Sequence, residues 1–139
     1  KLAVSILSTS YKNTYMKKST QKRILIVEDE KPMARALELK LAHLGFYTKS
    51  ANNGEEALEL LKKESFNLIL LDLVMPVLDG FGVLQALQDQ KNTTPTIILS
   101  NLGQDEDEKR TRAMGAKDFF IKSNTPIAEI VERVKTFLK

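Results

Sequence analysis

The polar residues that could do chemistry stand where short apolar runs end. Glu28, Asp29 and Glu30 follow ILIV, Asp72 follows LILL, Ser100 and Asn101 follow TIIL, and Lys122 follows FFI. Carboxylates brought to one place repel one another and rise in pKa unless a cation compensates. Oxygen donors with few nitrogens and no sulfur select a hard ion, and magnesium is the economical choice. The Ser100 hydroxyl and the Lys122 ammonium stand at the corresponding ends of later runs. Any one of these acids alone would be read as a helix cap or a solvated loop residue. Their coincidence at successive run ends is what argues for a site.

The elements that must position them alternate. Apolar, β-branched runs at 24–27, 47–51, 68–71, 96–99 and 119–121 are each followed by a helical pattern, at 32–44, 54–64, 80–90, 104–114 and 126–138. Leu37, Leu41 and Leu44 form one apolar stripe, and Ile127, Ile130, Val131, Val134, Phe137 and Leu138 another. Pro32 and Pro126 suit first-turn positions, and Gly45 and Gly115 suit C-terminal caps. Strict alternation with near-continuous apolar runs predicts a five-stranded parallel sheet buried on both faces, a doubly wound α/β fold. In such a sheet the ligand site lies beyond the carboxyl ends of the strands, where the strand order reverses.

Composition narrows the class. The chain has 139 residues, enough for one domain, and no cysteine, which removes disulfides, thiolate metal sites and thiol nucleophiles. The net charge of +3 divides unevenly: residues 1–23 hold six bases and no acid, leaving 15 bases against 18 acids from Ile24 onward. The folded part is therefore mildly acidic, which argues against direct nucleic-acid binding. Residues 1–22 read as a polar basic extension, whether an appended segment, an upstream linker or a native extension with Met16 a candidate start, and 23–139 as the domain. The opening KLAVSIL is too short for a membrane span and lacks a small-residue cleavage site, so a cytoplasmic location away from membranes is expected.

ILIVEDE, LILLDLVMPVLDG, TIILSN and FFIKS, in that order and spacing, resemble the signature stretches of response-regulator receiver domains over about residues 23–138. The resemblance implies a flavodoxin-like (βα)5 sheet of order 2-1-3-4-5 and a phosphorylation-dependent switch in two-component or phosphorelay signalling. Asp72 would be the phosphoacceptor, supplied by a phosphohistidine on a sensor histidine kinase or histidine phosphotransfer protein. Asp29 would bind Mg²⁺ directly, Glu28 often through water, Asp72 would join them, and Val74 would offer its backbone carbonyl. Ser100 and Lys122 would each bind a phosphoryl oxygen, and Phe119 would be the aromatic partner of Ser100 in the switch. The output would be a changed surface on the fourth helix, fifth strand and fifth helix, read by a downstream protein that the sequence does not name.

Two departures stand out. The family usually has proline after the lysine, joined by a cis bond, where this chain has Ser123, so the last loop is expected either to stay trans with a local shift or to carry strain. The loop after Asp72 lacks the common glycine after Pro76 and has Val77, expected to matter little, while Asp79-Gly80 remains a turn and helix start. Gly80-Phe81-Gly82 is no dinucleotide fingerprint, lacking the third glycine and the position after the first strand, and His43 reads as a surface residue. The charged helix at 104–114, with its acids first, reads as solvated and, having chiefly Ala113 and Met114 as anchors, as the mobile one. A small phosphatase or phosphotransferase using Asp72 in turnover is disfavoured because Val74, not an acid, stands two residues on. A pseudo-receiver that only binds partners would not need Glu28, Asp29, Asp72, Ser100 and Lys122 together. The expected role is thus a phosphoacceptor rather than an enzyme, either stand-alone or part of a larger regulator or hybrid kinase.

Overall fold

The computed structural model describes residues 20–139; the extension expected at 1–22 lies outside the described residues except for its last three. The elements are β1 (Arg23–Val27), α1 (Lys31–His43), β2 (Tyr47–Ala51), α2 (Gly54–Lys63), β3 (Leu68–Leu71), α3 (Gly80–Asp89), β4 (Thr96–Ser100), α4 (Asp105–Ala113), β5 (Asp118–Ile121) and α5 (Ile127–Phe137). A single 3₁₀ turn, Lys122–Asn124, follows β5. All strand pairs are parallel, in the order β2-β1-β3-β4-β5, so the doubly wound expectation holds.

The period of two along each strand divides the core. Leu25, Val27, Ile69, Leu71 and Ile98 face one side, against Ala57 of α2 and Val83, Leu84 and Leu87 of α3. Ile24, Ile26, Leu68, Leu70, Ile97 and Leu99 face the other, against Leu37 and Leu41 of α1 and Ile130, Val131 and Val134 of α5. Gly45 and Gly115 follow α1 and α4 with φ of +95 and +103, the left-handed conformation expected of them.

Helical periodicity overreaches at the helix ends. Leu44 is the cap residue of α1 and is exposed, because the chain is already turning toward Gly45 there. Phe137, the last residue of α5, is also exposed, while Leu138 packs inward beside it. Pro126 is the N-cap of α5 and not its first helical residue; Pro32 does lie in the first turn of α1. In α4 the anchors differ from those expected: Ala113 is exposed, and Thr111 is the one buried residue, with Met114 half-buried just beyond the helix. Arg110 adds a pin, its guanidinium 3.9 Å from the Phe81 ring centroid on α3. His43 is exposed on α1, as expected. Among the described residues no helix is long and apolar enough to cross a membrane.

Candidate functional site

The chain reverses its direction of travel across the sheet between β1 and β3. Glu28 and Asp29 leave the end of β1 there and Asp72 leaves the end of β3. Their backbones extend the sheet by one rung, Glu28 N–H donating to Ala51 O at 3.0 Å and Asp72 N–H to Val27 O at 3.0 Å. The carboxylates are consequently held, not dangling: Glu28 is 2% and Asp72 3% exposed. Gly80 is what lets α3 begin against Asp72, since a side chain there would stand 2.3 Å from the Asp72 carbonyl oxygen. Asp79 caps that helix, accepting the Gly82 N–H at 2.9 Å.

Lys122 reaches this pocket from the end of β5. Its ammonium donates to both Glu28 carboxylate oxygens at 2.9 and 3.0 Å, to Asp72 Oδ2 at 3.0 Å and to Glu30 Oε1 at 2.9 Å, with its side chain only 7% exposed. Burial works to lower its pKa, but the three carboxylates outweigh it and hold the ammonium charged above its ordinary range. Glu28 is pushed from 4.5 up to about 7, first by burial and then by the Asp72 charge, against the pull of Lys122. Three carboxylates therefore meet one ammonium, with Asp29 beside them.

Glu28, Asp29 and Asp72 can each present an oxygen such that the three lie within 4.8 Å of one another, with Asp29 on the exposed side. All donors are oxygen and the charge is in excess, so the set fits a small hard divalent cation. Val74 N–H donates to Asp72 Oδ1 at 3.3 Å, which places the Val74 backbone beside the cluster.

Ser100 is the last residue of β4, fully buried, and its hydroxyl oxygen accepts the Leu102 N–H at 3.3 Å. Phe119, on the neighbouring β5, is half-buried against the core between the sheet and the α2–α3 layer. Glu28, Asp72 and Lys122 are thus in direct contact around one pocket with Asp29 at its mouth, and Ser100 lies on the same rim.

Two features escaped the sequence reading, and a third decides between its alternatives. Glu30 leaves the N-terminus of α1 uncapped by its side chain and turns to Lys122; the run of three acids was visible, but its partner lies 92 residues away. No cis peptide bond occurs among the described residues, so the loop after Lys122 is trans, and Ser123 N–H donates to Asn101 Oδ1 at 3.0 Å. Val77 adopts a backbone conformation that its residue type does not announce. Its φ of +70 lies in the left-handed region, with Leu78 N–H donating across it to Pro76 O at 2.8 Å, a γ-turn centred on a β-branched residue.

Comparison with known proteins shows the family. The family model described as "Response regulator receiver domain" matches residues 24–135. A "Probable transcriptional regulator ycf27" of Porphyridium aerugineum is 38% identical over 119 residues, 86% of this chain and 49% of that protein, so the chain spans about half the length of such curated relatives. The Francisella response regulator 1452 receiver domain superposes with a TM-score of 0.80 at 32% identity, over 85% of this chain and 97% of that one. The response regulator TrrA of Thermotoga maritima, solved in complex with Mg(2+)-BeF, superposes with a TM-score of 0.72 at 29% identity, over 84% and 99%. The chain belongs to the response-regulator receiver domains of two-component signalling.

Proposed function

We propose that this chain is a phosphorylation switch in which Asp72 accepts a phosphoryl group from a phosphohistidine on a sensor histidine kinase or histidine phosphotransfer protein. The observation that carries the reading is the buried Asp72 carboxylate, gripped by Lys122 and adjoining an acidic cluster with charge to spare. An Asp72 carboxylate oxygen bonds to phosphorus as the P–N bond breaks, and the electron pair stays on the donor imidazole. Glu28, Asp29 and Asp72, with the Val74 carbonyl, would hold Mg²⁺, which when bound supplies positive charge against the phosphoryl oxygens.

The chain's own residues do the rest. Lys122 exchanges carboxylate oxygens for a phosphoryl oxygen, and the Ser100 hydroxyl turns from Leu102 N–H to donate to another. Phe119 moves into the space that Ser100 vacates, changing the face formed by α4, β5 and α5. Charge arriving at Asp72 is thereby converted into a packing change read by a downstream protein. Turnover has no support in the site, because Val74 stands where a general acid would be needed. The cytoplasm, where such kinases present their phosphohistidine, is the proposed location.

Beryllofluoride with Mg²⁺ tests the reading. Amide shifts centred on Asp72, Ser100 and Lys122 and spreading to α4 are expected. A spectrum unchanged at saturating Mg²⁺ would leave only a binding module that does not use phosphorylation.

A further inference from the structure

β4 and β5 end together: Ser100 is paired with Ile121, the last rung of their ladder, and Asn101 and Lys122 are the first residues beyond it. The chains do not part there. The Asn101 side chain reaches across to accept the Ser123 N–H at 3.0 Å, adding a rung after the strands have ended. The same loop packs on the end of β5 a little further on, where a methyl group on Gly103 would stand 3.0 Å from Ile121 Cδ1. The two residues carried at the roots of these loops are Ser100 and Lys122. One is the hydroxyl and the other the cation that the proposed reaction needs at the same phosphoryl group.

We propose that Asn101 is a positioning residue: by accepting the Ser123 N–H it joins the loops bearing Ser100 and Lys122, so that hydroxyl and ammonium reach the phosphoryl group as one unit. This rests on the function proposed above. Lys122 is already held at its far end by Glu28, Asp72 and Glu30, so fixing its backbone leaves the side chain little freedom except to exchange oxygens. Serine at 123 is required for the link only through its N–H, which a proline there would lack. Both residues are exposed, so water replaces the bond readily in the unfolded and the broken state. The link therefore contributes little to global stability, and its effect falls on geometry.

The test is the initial rate of acid-labile phosphorylation by acetyl phosphate with Mg²⁺. Asn101→Ala should lower the rate about 3- to 10-fold, the equivalent of one modest hydrogen bond, with an unchanged melting temperature. Ser123→Ala keeps the N–H and should match wild type. Asn101→Asp keeps the acceptor oxygen and should regain most of the rate at high ionic strength, where its added charge is screened. Ser123→Pro removes the donor, and in that background Asn101→Ala should cost nothing further. An Asn101→Ala rate within about twofold of wild type, or a double variant whose loss is the product of the single losses, overturns the proposal. If wild type itself takes no phosphate and gives no beryllofluoride response, the proposed function has failed instead.

Discussion

Each end of the sheet pairs a basic side chain with acid, and the two are built on opposite principles. At the amino end Arg23 opens β1. Its guanidinium pairs with Glu64, donates from Nε to Ser65 O at 2.9 Å and stacks 4.0 Å from the Tyr47 ring centroid. Tyr47 O–H donates to the same Glu64 at 3.0 Å. One positive charge meets one negative charge, and the remaining contacts are neutral. At the carboxyl end one ammonium meets Glu28, Glu30 and Asp72 with Asp29 beside them, and Glu28 is left with a pKa near 7. A balanced cluster is a joint of the fold. An unbalanced one could take a further charge, and the direction of the imbalance says that a cation would fit it.

The widest separation of the two ends comes from a pair of variants. Asp72→Asn should abolish acid-labile phosphorylation by a small phosphodonor, since the amide has no nucleophilic oxygen. Arg23→Met should leave phosphorylation intact while costing about 2 kcal/mol in chemical denaturation. Phosphate retained by Asp72→Asn at wild-type stoichiometry would remove Asp72 from its role.

Glu28 makes the imbalance visible as pH dependence. Its folded pKa is raised, so the folded protein holds a proton that the unfolded chain releases between about 4.5 and 7. The stabilisation is complete below the lower value and lost as pH rises through the upper one. Metal-free protein should therefore be more stable near about pH 5 than near about pH 8, by a few kcal/mol at most, and Mg²⁺ affinity should rise with pH across the same window. Glu28→Gln should flatten both curves in denaturation and in Mg²⁺ titration, and curves that keep their slope would assign the effect to other groups.

Removing Asp29, the exposed member of the cluster, should act on the metal and spare the fold. Asp29→Asn is expected to weaken Mg²⁺ binding roughly 30-fold, with a melting temperature equal to or above wild type because a repulsion is gone. An unaltered titration would exclude it as a direct ligand. The rim should set how long the phosphoryl group lasts. Val74 and Leu102, two residues beyond Asp72 and Ser100, are aliphatic and solvent-facing, and neither can orient an attacking water. Val74→Asn with Leu102→Glu should speed phosphate loss about 10-fold under saturating Mg²⁺ without preventing phosphorylation. Decay no faster than wild type would give control of the water to another group.

The smallest effect is expected at Val77, 73% exposed and held at φ +70. Val77→Gly relieves the left-handed strain but loosens the unfolded chain, for a net gain of at most about 1 kcal/mol. A loss of stability would mean that the valine side chain makes contacts worth more than its strain.

The apolar periods determined the five β-α units and their parallel arrangement, because ILIV, LILL and TIIL are local signals that need no partner to be read. The acids, the hydroxyl and the lysine at the run ends were equally legible, since a strand end is a position in sequence as well as in space. Only the tertiary structure decided how those groups share charge. Lys122 meets Glu28 across 94 residues and Glu30 across 92, and the shift of Glu28 follows from burial that no local pattern states. The handedness of Val77 likewise depends on loop closure, in which Leu78 O receives the Gly54 N–H at 2.9 Å from the start of α2. The exposure of Leu44, Phe137 and Ala113 was hidden for a related reason: helical period identifies a face, while the packed neighbours decide how far along the helix that face is covered. Periodicity and turn chemistry act between residues a few positions apart, whereas burial and charge pairing act between groups that only the folded chain brings together.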